Sequence, residues 1–579
     1  MKKLEYAVLP QSPGDLPVDP ANPSKCQITG LLQQPCDLGG ETCQLITYLP
    51  PNAQHNDRCI VVVPPSGEDA VQFLSASGLA EFADKNRCIL GVVVPNSTGW
   101  NLNGKSADLV NAAYKKMQSR EWFVIMQDCI YLFGFGDGAT VAQQAAMKMT
   151  SEWSGLATFG SFMDGVLLNA GEHKDMDAGV QDGELYIASA KAQLPVWMLF
   201  QDKGPLDDQV ISYWKQENVN QSDPLRDERG TIIYLPPYLQ RTSKINDEAI
   251  AQTRITLGID YITTDILDYV WSYVGAARRH RSYGGKVLRY FRDPLKNGAT
   301  YHTMEINGFV REWYEYVPQR LKSSNDPIPL VVSMHGRGGN GETFYDISDM
   351  SLVAEERGFI ALFPTADFYE FKKTGLKTLR LWQGNYNGQK QDSVPFIRAM
   401  VENVKERYPI DSGRIYACGQ SSGGYMSAYL AQAASDLFTA VAPWSGFVYP
   451  GFKNPDFQVF DGKYFSGGNV PILLLFGDKD DMFGVKTLNP LPENTEIAGF
   501  IRFICKSYHL EESPAVYQCE PIAYYVWRNA KGTPMLKVGV VQDMPHANYA
   551  EESRLSFDEF FSKFKRRDGK LLYMGRPAE

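Results

Sequence analysis

The sequence predicts an α/β fold built as two tandem units, each a mostly parallel β-sheet flanked by helices. Three observations lead to this prediction. At 579 residues, the chain exceeds the size of an ordinary single domain. Apolar runs such as residues 470–476 are typical of parallel strands that are buried on both faces. A series of strand-like and helix-like segments in the second half also recurs, in the same order, in the first half.

The repeat is visible in both spacing and order. From a glycine after an early strand to the proline that ends the next strand is 28 residues in each half, Gly67 to Pro95 and Gly336 to Pro364. Further first-half segments match the second half in order, namely residues 129–138, 194–202 and 266–271. A duplicated fold therefore explains the first half better than the alternative, an unrelated domain whose buried strands merely look alike.

Composition and charge exclude several classes of protein. The chain is 44% hydrophobic, and its net charge of −10 argues against binding to nucleic acid or to an anionic membrane. No apolar segment typical of a signal peptide or a membrane span is found, so a cytoplasmic location is expected, with secretion left open if a leader was removed. Nine cysteines without a C-x-x-C pair predict neither a zinc site nor a redox dithiol. The basic run at residues 278–281 is interpreted as a helix end followed by a linker.

The segment 416–425 has the pattern of a strand that turns sharply into a helix. Gly419 and Gly423 flank the turn, where larger side chains would clash. Such a turn strains the backbone of its apex residue, Ser421, and holds the hydroxyl clear of the sheet. An α/β-hydrolase presents its serine nucleophile in this way, so the segment predicts that Ser421 is a nucleophile.

A serine nucleophile needs a histidine base and an acid that orients the base, and in α/β-hydrolases they follow the serine in the order acid, then histidine. Only His509 and His546 lie after Ser421. We expect His546 to be the base, because it follows an apolar strand and precedes a helix at residues 555–564, whereas His509 has no such context. The acid is expected to be Asp480, just after the strand at 470–476, with Asp481 as the alternative.

Acyl transfer also needs N–H groups that stabilise a developing oxyanion. One should be the backbone N–H of Ser422, at the positive end of the helix after the elbow. The second should come from the glycine-rich loop 335–339, where we expect the N–H of Arg337 to serve. His335 is interpreted as a structural residue of that loop.

Residues 305–566 resemble the esterase family that contains polyhydroxybutyrate (PHB) depolymerases and feruloyl esterases. The resemblance is carried by residues 311–318, the loop at His335, residues 358–364, the run 410–416 into the elbow, and Asp480 and His546. It implies a serine carboxylester hydrolase without a metal or organic cofactor, with Ser421, Asp480 and His546 as its triad. The sequence departs from many relatives in having Arg337 where they have cysteine, which bears on substrate rather than chemistry.

The first half lacks these chemical groups. Gly136 stands at the position of the nucleophile and Gly204 at that of the acid, and no histidine matches His546. We therefore divide the chain into a degenerate, non-catalytic domain, residues 1–285, and a catalytic domain, residues 286–579.

Aromatic residues on loops around Ser421 suggest an aryl or hydroxycinnamoyl ester as substrate, with Trp382 and Trp444 as candidate contacts. A polyester depolymerase is the alternative, and a prolyl-oligopeptidase-type peptidase a third. The peptidase usually carries a propeller, which the strand–helix alternation of the first half does not match. The expected partner is a small or carbohydrate-linked ester, and a homo-oligomer is left open.

Overall fold

The computed structural model describes residues 2–38, 41–95, 99–163, 192–237, 250–282, 285–369, 379–383, 392–450, 452 and 468–578. These residues form two compact units. The first extends to Phe291, apart from Val18–Pro23, and the second contains Val18–Pro23 and Arg292–Glu579. In the described part of the chain, no helix has both the length and the apolar character needed to cross a membrane.

The first unit is a ten-stranded sheet with helices and a hairpin. Its sheet strands are β1 (Gly30–Leu38), β2 (Glu41–Leu49), β3 (Asp57–Val63), β4 (Cys88–Val94), β5 (Ile125–Phe135), β6 (Gly155–Phe159), β7 (Val196–Leu199), β8 (Leu225–Arg226), β9 (Ile232–Tyr234) and β10 (Thr253–Thr256). Its helices are α1 (Ala70–Ala76), α2 (Leu79–Asn86), α3 (Lys105–Met117), α4 (Gly138–Lys148), α5 (Asp207–Glu217) and α6 (Thr264–Val274). The hairpin consists of β11 (Ala277–Ser282) and β12 (Gly285–Tyr290).

The second unit has a sheet of the same size. Its sheet strands are β13 (Thr300–Ile306), β14 (Phe309–Tyr316), β15 (Ile328–Met334), β16 (Ile360–Pro364), β19 (Ile410–Gln420), β20 (Ala440–Trp444), β21 (Ile472–Gly477), β22 (Ala515–Cys519), β23 (Ile522–Arg528) and β24 (Pro534–Val541). Its helices are α7 (Gly341–Ser348), α8 (Met350–Arg357), α9 (Ser393–Arg407), α10 (Ser422–Ala433), α11 (Glu496–Ser507) and α12 (Glu552–Leu555). Short strands outside that sheet are β17 (Phe368–Tyr369), β18 (Leu379–Arg380), β25 (Phe564–Arg567), β26 (Lys570–Tyr573) and β27 (Arg576–Pro577).

The strands of the two sheets follow the same order. The first is β1-β2-β4-β3-β5-β6-β7-β10-β9-β8, and the second is β13-β14-β16-β15-β19-β20-β21-β24-β23-β22. The central strands of each are parallel, from β4 to β10 and from β16 to β24, and antiparallel strands close both edges. This order confirms the predicted tandem α/β-hydrolase fold and excludes an unrelated first domain.

The register of the central strands gives a residue-by-residue correspondence between the units. Val63 on β3 pairs with Gly134 on β5, and Met334 on β15 pairs with Gly419 on β19. Burial explains why these strands are apolar throughout: every residue of β15 is buried, so alternation with polar residues would place polar groups in the core. Parallel strands of this kind bring their carboxyl ends, and the loops that follow them, to one edge of the sheet.

The interpretation of residues 278–281 as a helix end and linker is wrong, because they belong to strand β11. The side chains of Arg278 and Arg279 are buried. The Arg279 guanidinium donates to the main-chain carbonyl oxygens of Trp153 and Thr150, each at 2.8 Å. These carbonyl groups satisfy the guanidinium inside the unit, which a count of charged residues cannot reveal.

Candidate active site

Ser421 lies at the junction of β19 and α10, with backbone angles φ 53° and ψ −114°. Its N–H donates to the carbonyl oxygen of Trp444 at the end of β20, over 2.8 Å. A Cβ on Gly419 or on Gly423 would lie 2.5 Å or 2.1 Å from the carbonyl oxygen of Met334. The close approach of strand and helix therefore requires both glycines, and the positive φ shows that the apex carries the strain expected of a nucleophile elbow.

His546 links the serine to a carboxylate. Its Nε2 is 2.9 Å from the Oγ of Ser421, and its Nδ1 is 2.9 Å from Oδ2 of Asp480. With Nδ1–H donating to the carboxylate, Nε2 is left with a lone pair that can accept the hydrogen of the serine hydroxyl. The Asp480 side chain is 0% exposed and that of His546 27% exposed, so the imidazole is accessible while the carboxylate is not.

The structure distinguishes the two candidate acids. Asp480 is held by a second contact, in which its Oδ1 accepts the N–H of Met482 at 3.1 Å. Asp481 is exposed. His509 is also exposed and follows α11, away from the segment that carries His546 along the chain. Of the two aspartates, Asp480 is the one that contacts the histidine.

A buried glutamate that the sequence did not single out holds the segment after His546. Glu552, on α12, accepts hydrogen bonds from the Nδ2 of Asn548 and from the N–H of Tyr549, the latter at 3.1 Å. Burial raises the pKa of Glu552 to about 8. Its two oxygens thus fix the turn between the histidine and the helix, a role that no local sequence signal reveals.

The loop after β15 is built around His335. Its Nδ1–H donates to the carbonyl oxygen of Gly336 at 2.6 Å, and its Nε2 accepts the N–H of Ala366 at 2.9 Å. Burial lowers the pKa of His335 to about 3, so this imidazole is neutral over the working pH range. Both ring nitrogens have partners in the loop and its neighbour, as expected of a structural rather than a catalytic histidine.

Of the two expected oxyanion donors, one belongs to this loop and the other to the start of the helix after the elbow. Arg337 is an exposed residue of the loop, and a Cβ on the preceding Gly336 would lie 2.5 Å from Oε1 of Gln420. Ser422 is buried at the first turn of α10, and its Oγ accepts the N–H of Trp382 at 3.1 Å. Loop and helix start are therefore packed tightly together beside Ser421.

The two tryptophans expected to contact substrate are buried. Trp382 is 3% exposed, and its indole N–H donates to the carbonyl oxygen of His335 at 2.8 Å. Trp444 is 1% exposed, and its indole N–H donates to Oγ of Ser556 at 3.0 Å. We correct the expectation for Trp444, because its side chain packs in the core. Trp382 lies beside the site, but it braces the loop and presents no open face.

The first unit repeats the elbow without its chemistry. Gly136 has φ 58°, and its N–H donates to the carbonyl oxygen of Phe159 at 2.9 Å, as Ser421 donates to Trp444. The residue that corresponds to Asp480 is found through the next strand of each sheet. There the N–H of Gly160 donates to the carbonyl oxygen of Leu199, and the N–H of Ser445 donates to that of Leu475. Counting five residues from each acceptor leads to Gly204 and Asp480.

Metal-binding side chains are not clustered in the part of the chain that the structure describes. No group of three or more histidine, cysteine, aspartate or glutamate residues there could hold a metal ion.

The second unit resembles known esterases. Residues 315–456 match the family model described as "Esterase PHB depolymerase". A feruloyl esterase B of Talaromyces funiculosus is 33% identical over 140 residues, which make up 24% of this chain and 37% of that protein. A poly(3-hydroxyalkanoate) depolymerase C of Paucimonas lemoignei is 23% identical over 279 residues, or 44% of this chain and 63% of that protein. The chain therefore spans less than two thirds of either relative.

Among solved structures, an acetyl xylan esterase from Aspergillus awamori matches with a TM-score of 0.36 and 18% identity, over 45% of this chain and 99% of that one. The stretch matched by the family model includes Arg337, Ser421 and Ser422, and it ends before Asp480 and His546. The strand order, the elbow and the family match together support an α/β-hydrolase esterase fold for the second unit, which is similar to the PHB depolymerase esterase family over residues 315–456.

Proposed function

We propose that the second unit is a serine carboxylester hydrolase that acts through an acyl-enzyme. The observation that carries this proposal is the unbroken hydrogen-bonded relay from Ser421 Oγ through His546 to Asp480, each contact 2.9 Å long. The strained elbow and the helix N-terminus behind it supply the other features that acyl transfer requires.

In this mechanism Ser421 Oγ attacks the ester carbonyl carbon while Nε2 of His546 takes its proton. The carbonyl oxygen becomes an oxyanion, which the N–H groups of Ser422 and Arg337 stabilise. The imidazolium, held by Asp480, then gives its proton to the leaving alcohol, and the acyl group stays on Ser421. A water molecule, deprotonated by His546, then attacks the acyl carbon; the bond to Oγ breaks, Ser421 takes the proton back from His546, and the carboxylic acid is released.

For the substrate we propose an aryl or hydroxycinnamoyl ester, since several relatives that match this unit are named feruloyl esterase B. A polyester is the second candidate. The match to the poly(3-hydroxyalkanoate) depolymerase spans 279 residues, whereas the first of the feruloyl esterase matches spans 140. The peptidase alternative loses its support, because the first unit is a ten-stranded α/β sheet and not a propeller.

A substrate panel tests this proposal directly. We would measure hydrolysis of p-nitrophenyl acetate, methyl ferulate, a poly(3-hydroxybutyrate) film and a dipeptide anilide. Among the soluble substrates, kcat/KM should be highest for methyl ferulate, and the anilide should not be hydrolysed. Faster release of soluble acid from the film than from methyl ferulate would favour the polyester candidate. No hydrolysis of any ester, by protein shown to be folded, would refute the proposal.

We further propose that residues 1–285 form a non-catalytic domain and residues 286–579 the catalytic one. Three independent requirements fail in the first unit: Gly136 offers no hydroxyl, Gly204 no carboxylate, and no histidine matches His546. A nucleophile without an activating base remains protonated and weak.

Restoring the hydroxyl alone should therefore restore nothing. We expect Gly136→Ser, introduced into a Ser421→Ala background, to show the same residual ester hydrolysis as Ser421→Ala itself. A Cβ at residue 136 would lie 3.1 Å from Cβ of Pro65, with φ 58°, so some strain accompanies the change. This result is checked by measuring ester hydrolysis rates and melting temperatures of Ser421→Ala and of the double variant under the same conditions. A gain in turnover specific to the double variant would contradict a silent first unit.

A further inference from the structure

Trp382 joins the two halves of the proposed oxyanion site. Its indole N–H donates to the carbonyl oxygen of His335 at 2.8 Å, and its backbone N–H donates to Oγ of Ser422 at 3.1 Å. Its ring lies 5.2 Å from the His335 ring. One residue thus connects the loop that carries Arg337 to the first turn of α10.

The first unit contains the same indole contact, although its catalytic groups are lost; its backbone contact stays within the loop, and Asp137 links that loop to α4. Trp100 donates its indole N–H to the carbonyl oxygen of Pro64 at 2.8 Å, and its backbone N–H to Oγ of Ser66 at 3.0 Å. By the strand register, Pro64 corresponds to His335 and Ser66 to Arg337. The register also pairs Gly67 with Gly338, two residues beyond the Gly336 that equal spacing matches to it, and both glycines have a positive φ, 78° and 76°. A tryptophan that serves no substrate in one unit makes the same indole contact in both.

The first unit also shows what this loop can bind. The carboxylate of Asp137, which corresponds to Ser422, accepts the N–H of Ser66 through Oδ1 at 2.8 Å and the hydroxyl of Ser66 through Oδ2. A carboxylate oxygen therefore accepts the backbone N–H that corresponds to the N–H of Arg337. A loop held in this way presents its N–H groups to negative charge, which is the requirement of an oxyanion site.

We propose that Trp382 is a positioning residue, which fixes the loop 335–339 against α10 so that the N–H groups of Arg337 and Ser422 converge on the substrate oxyanion. The inference rests on the proposed ester hydrolysis and replaces the expectation that Trp382 stacks on an aryl group. Its indole N–H acts through the His335 carbonyl and does not touch substrate. Small displacements of such donors are costly, since their stabilisation of the transition state depends on geometry.

The chain supplies its own matched control. Trp382→Phe and Trp100→Phe each keep a buried aromatic ring and remove one indole N–H from a loop carbonyl. We expect Trp382→Phe to lower kcat about tenfold to a hundredfold, with KM within about twofold of the parent on both methyl ferulate and p-nitrophenyl acetate. Trp100→Phe should keep the parent kcat while losing a similar amount of thermal stability. The shape of the pH–rate profile should be unchanged in both, because His546 and Asp480 are untouched.

The rate at which a fluorophosphonate labels Ser421 provides a readout that needs no turnover, and it should fall for Trp382→Phe alone. Equal kcat and equal labelling rates in the two variants would overturn the inference. A rise in KM for Trp382→Phe that is confined to aryl esters would also overturn it, and would instead support stacking of Trp382 on the substrate. If Trp382→Phe does not fold, Ser422→Ala removes the other contact and should lower kcat and the labelling rate in the same way; parent values would overturn the proposal. A parent that hydrolyses no ester refutes the proposed function instead, and the labelling rates still decide the role of Trp382.

Discussion

Replacement of Ser421 by alanine should abolish ester hydrolysis and leave the fold intact. Loss of a triad nucleophile lowers kcat on the order of a million-fold, because the remaining groups can only bind and polarise the ester. The change removes one oxygen atom, and alanine adopts φ 53° at about the same cost as serine. Rates on the best ester of the panel, measured with circular dichroism and a melting temperature for each protein, test this expectation.

A fluorophosphonate probe completes that experiment. The parent should be labelled once, at Ser421, and Ser421→Ala should not be labelled at all. Retention of parental turnover by purified Ser421→Ala would end the assignment of the nucleophile. Labelling that persists at another serine would locate a different active site.

Asp480→Asn should be far more damaging than Asp481→Asn. The amide at 480 can donate its Nδ2–H to Nδ1 of His546, which favours the tautomer with the proton on Nε2, so Nε2 can no longer take the serine proton. Changes of this kind lower kcat by about ten-thousandfold. Asp481 is exposed, and its replacement should leave kcat close to that of the parent.

The two aspartate variants form a matched pair, since they make the same chemical change at neighbouring positions. His546→Ala should be almost inactive. Its loss of activity is the reference for complete removal of the base, with which the losses in the aspartate variants are compared. Steady-state kcat and KM for the three variants on one ester provide the comparison. A greater loss of kcat in Asp481→Asn than in Asp480→Asn would identify Asp481, and not Asp480, as the acid of the triad.

The parts of the site that could be predicted from the sequence are those with a steric signature. The elbow requires Gly419 and Gly423, because a Cβ at either position would clash with the carbonyl oxygen of Met334. This steric requirement appears in the sequence as a recognisable pattern of glycines. The duplicated fold was predictable for a related reason, since strands buried on both faces must be apolar and therefore stand out in order along each half.

Side-chain direction is what the sequence alone could not supply. Trp444 lies next to the nucleophile, yet its carbonyl oxygen faces Ser421 while its indole bonds to Ser556, so proximity along the loops was misleading. Asp480 and Asp481 are adjacent, and only the folded turn decides which carboxylate meets His546. Glu552 acts through contacts with a turn three to four residues earlier, which its own neighbours in the sequence do not indicate.

The sequence does not reveal the repeated tryptophan, because its spacing differs between the halves. Trp100 follows the end of β4 by six residues, whereas Trp382 follows the end of β16 by eighteen. Insertions in loops alter the spacing without moving the side chain in space, so a search for fixed intervals finds strands more readily than it finds loop residues.

Under the proposed assignment of the first unit as non-catalytic, the carboxylate of Asp137 is a further obstacle to catalysis there. A return to catalysis would require a hydroxyl at residue 136, an acid at residue 204, a histidine on the loop after β10, and removal of the carboxylate that already occupies the Ser66 N–H. The last of these changes, made alone, would leave Ser66 without its carboxylate acceptor and so lower stability before any rate could be gained. Under that assignment, each step is neutral or harmful until all four are present, so no single substitution would turn the first unit into a second enzyme.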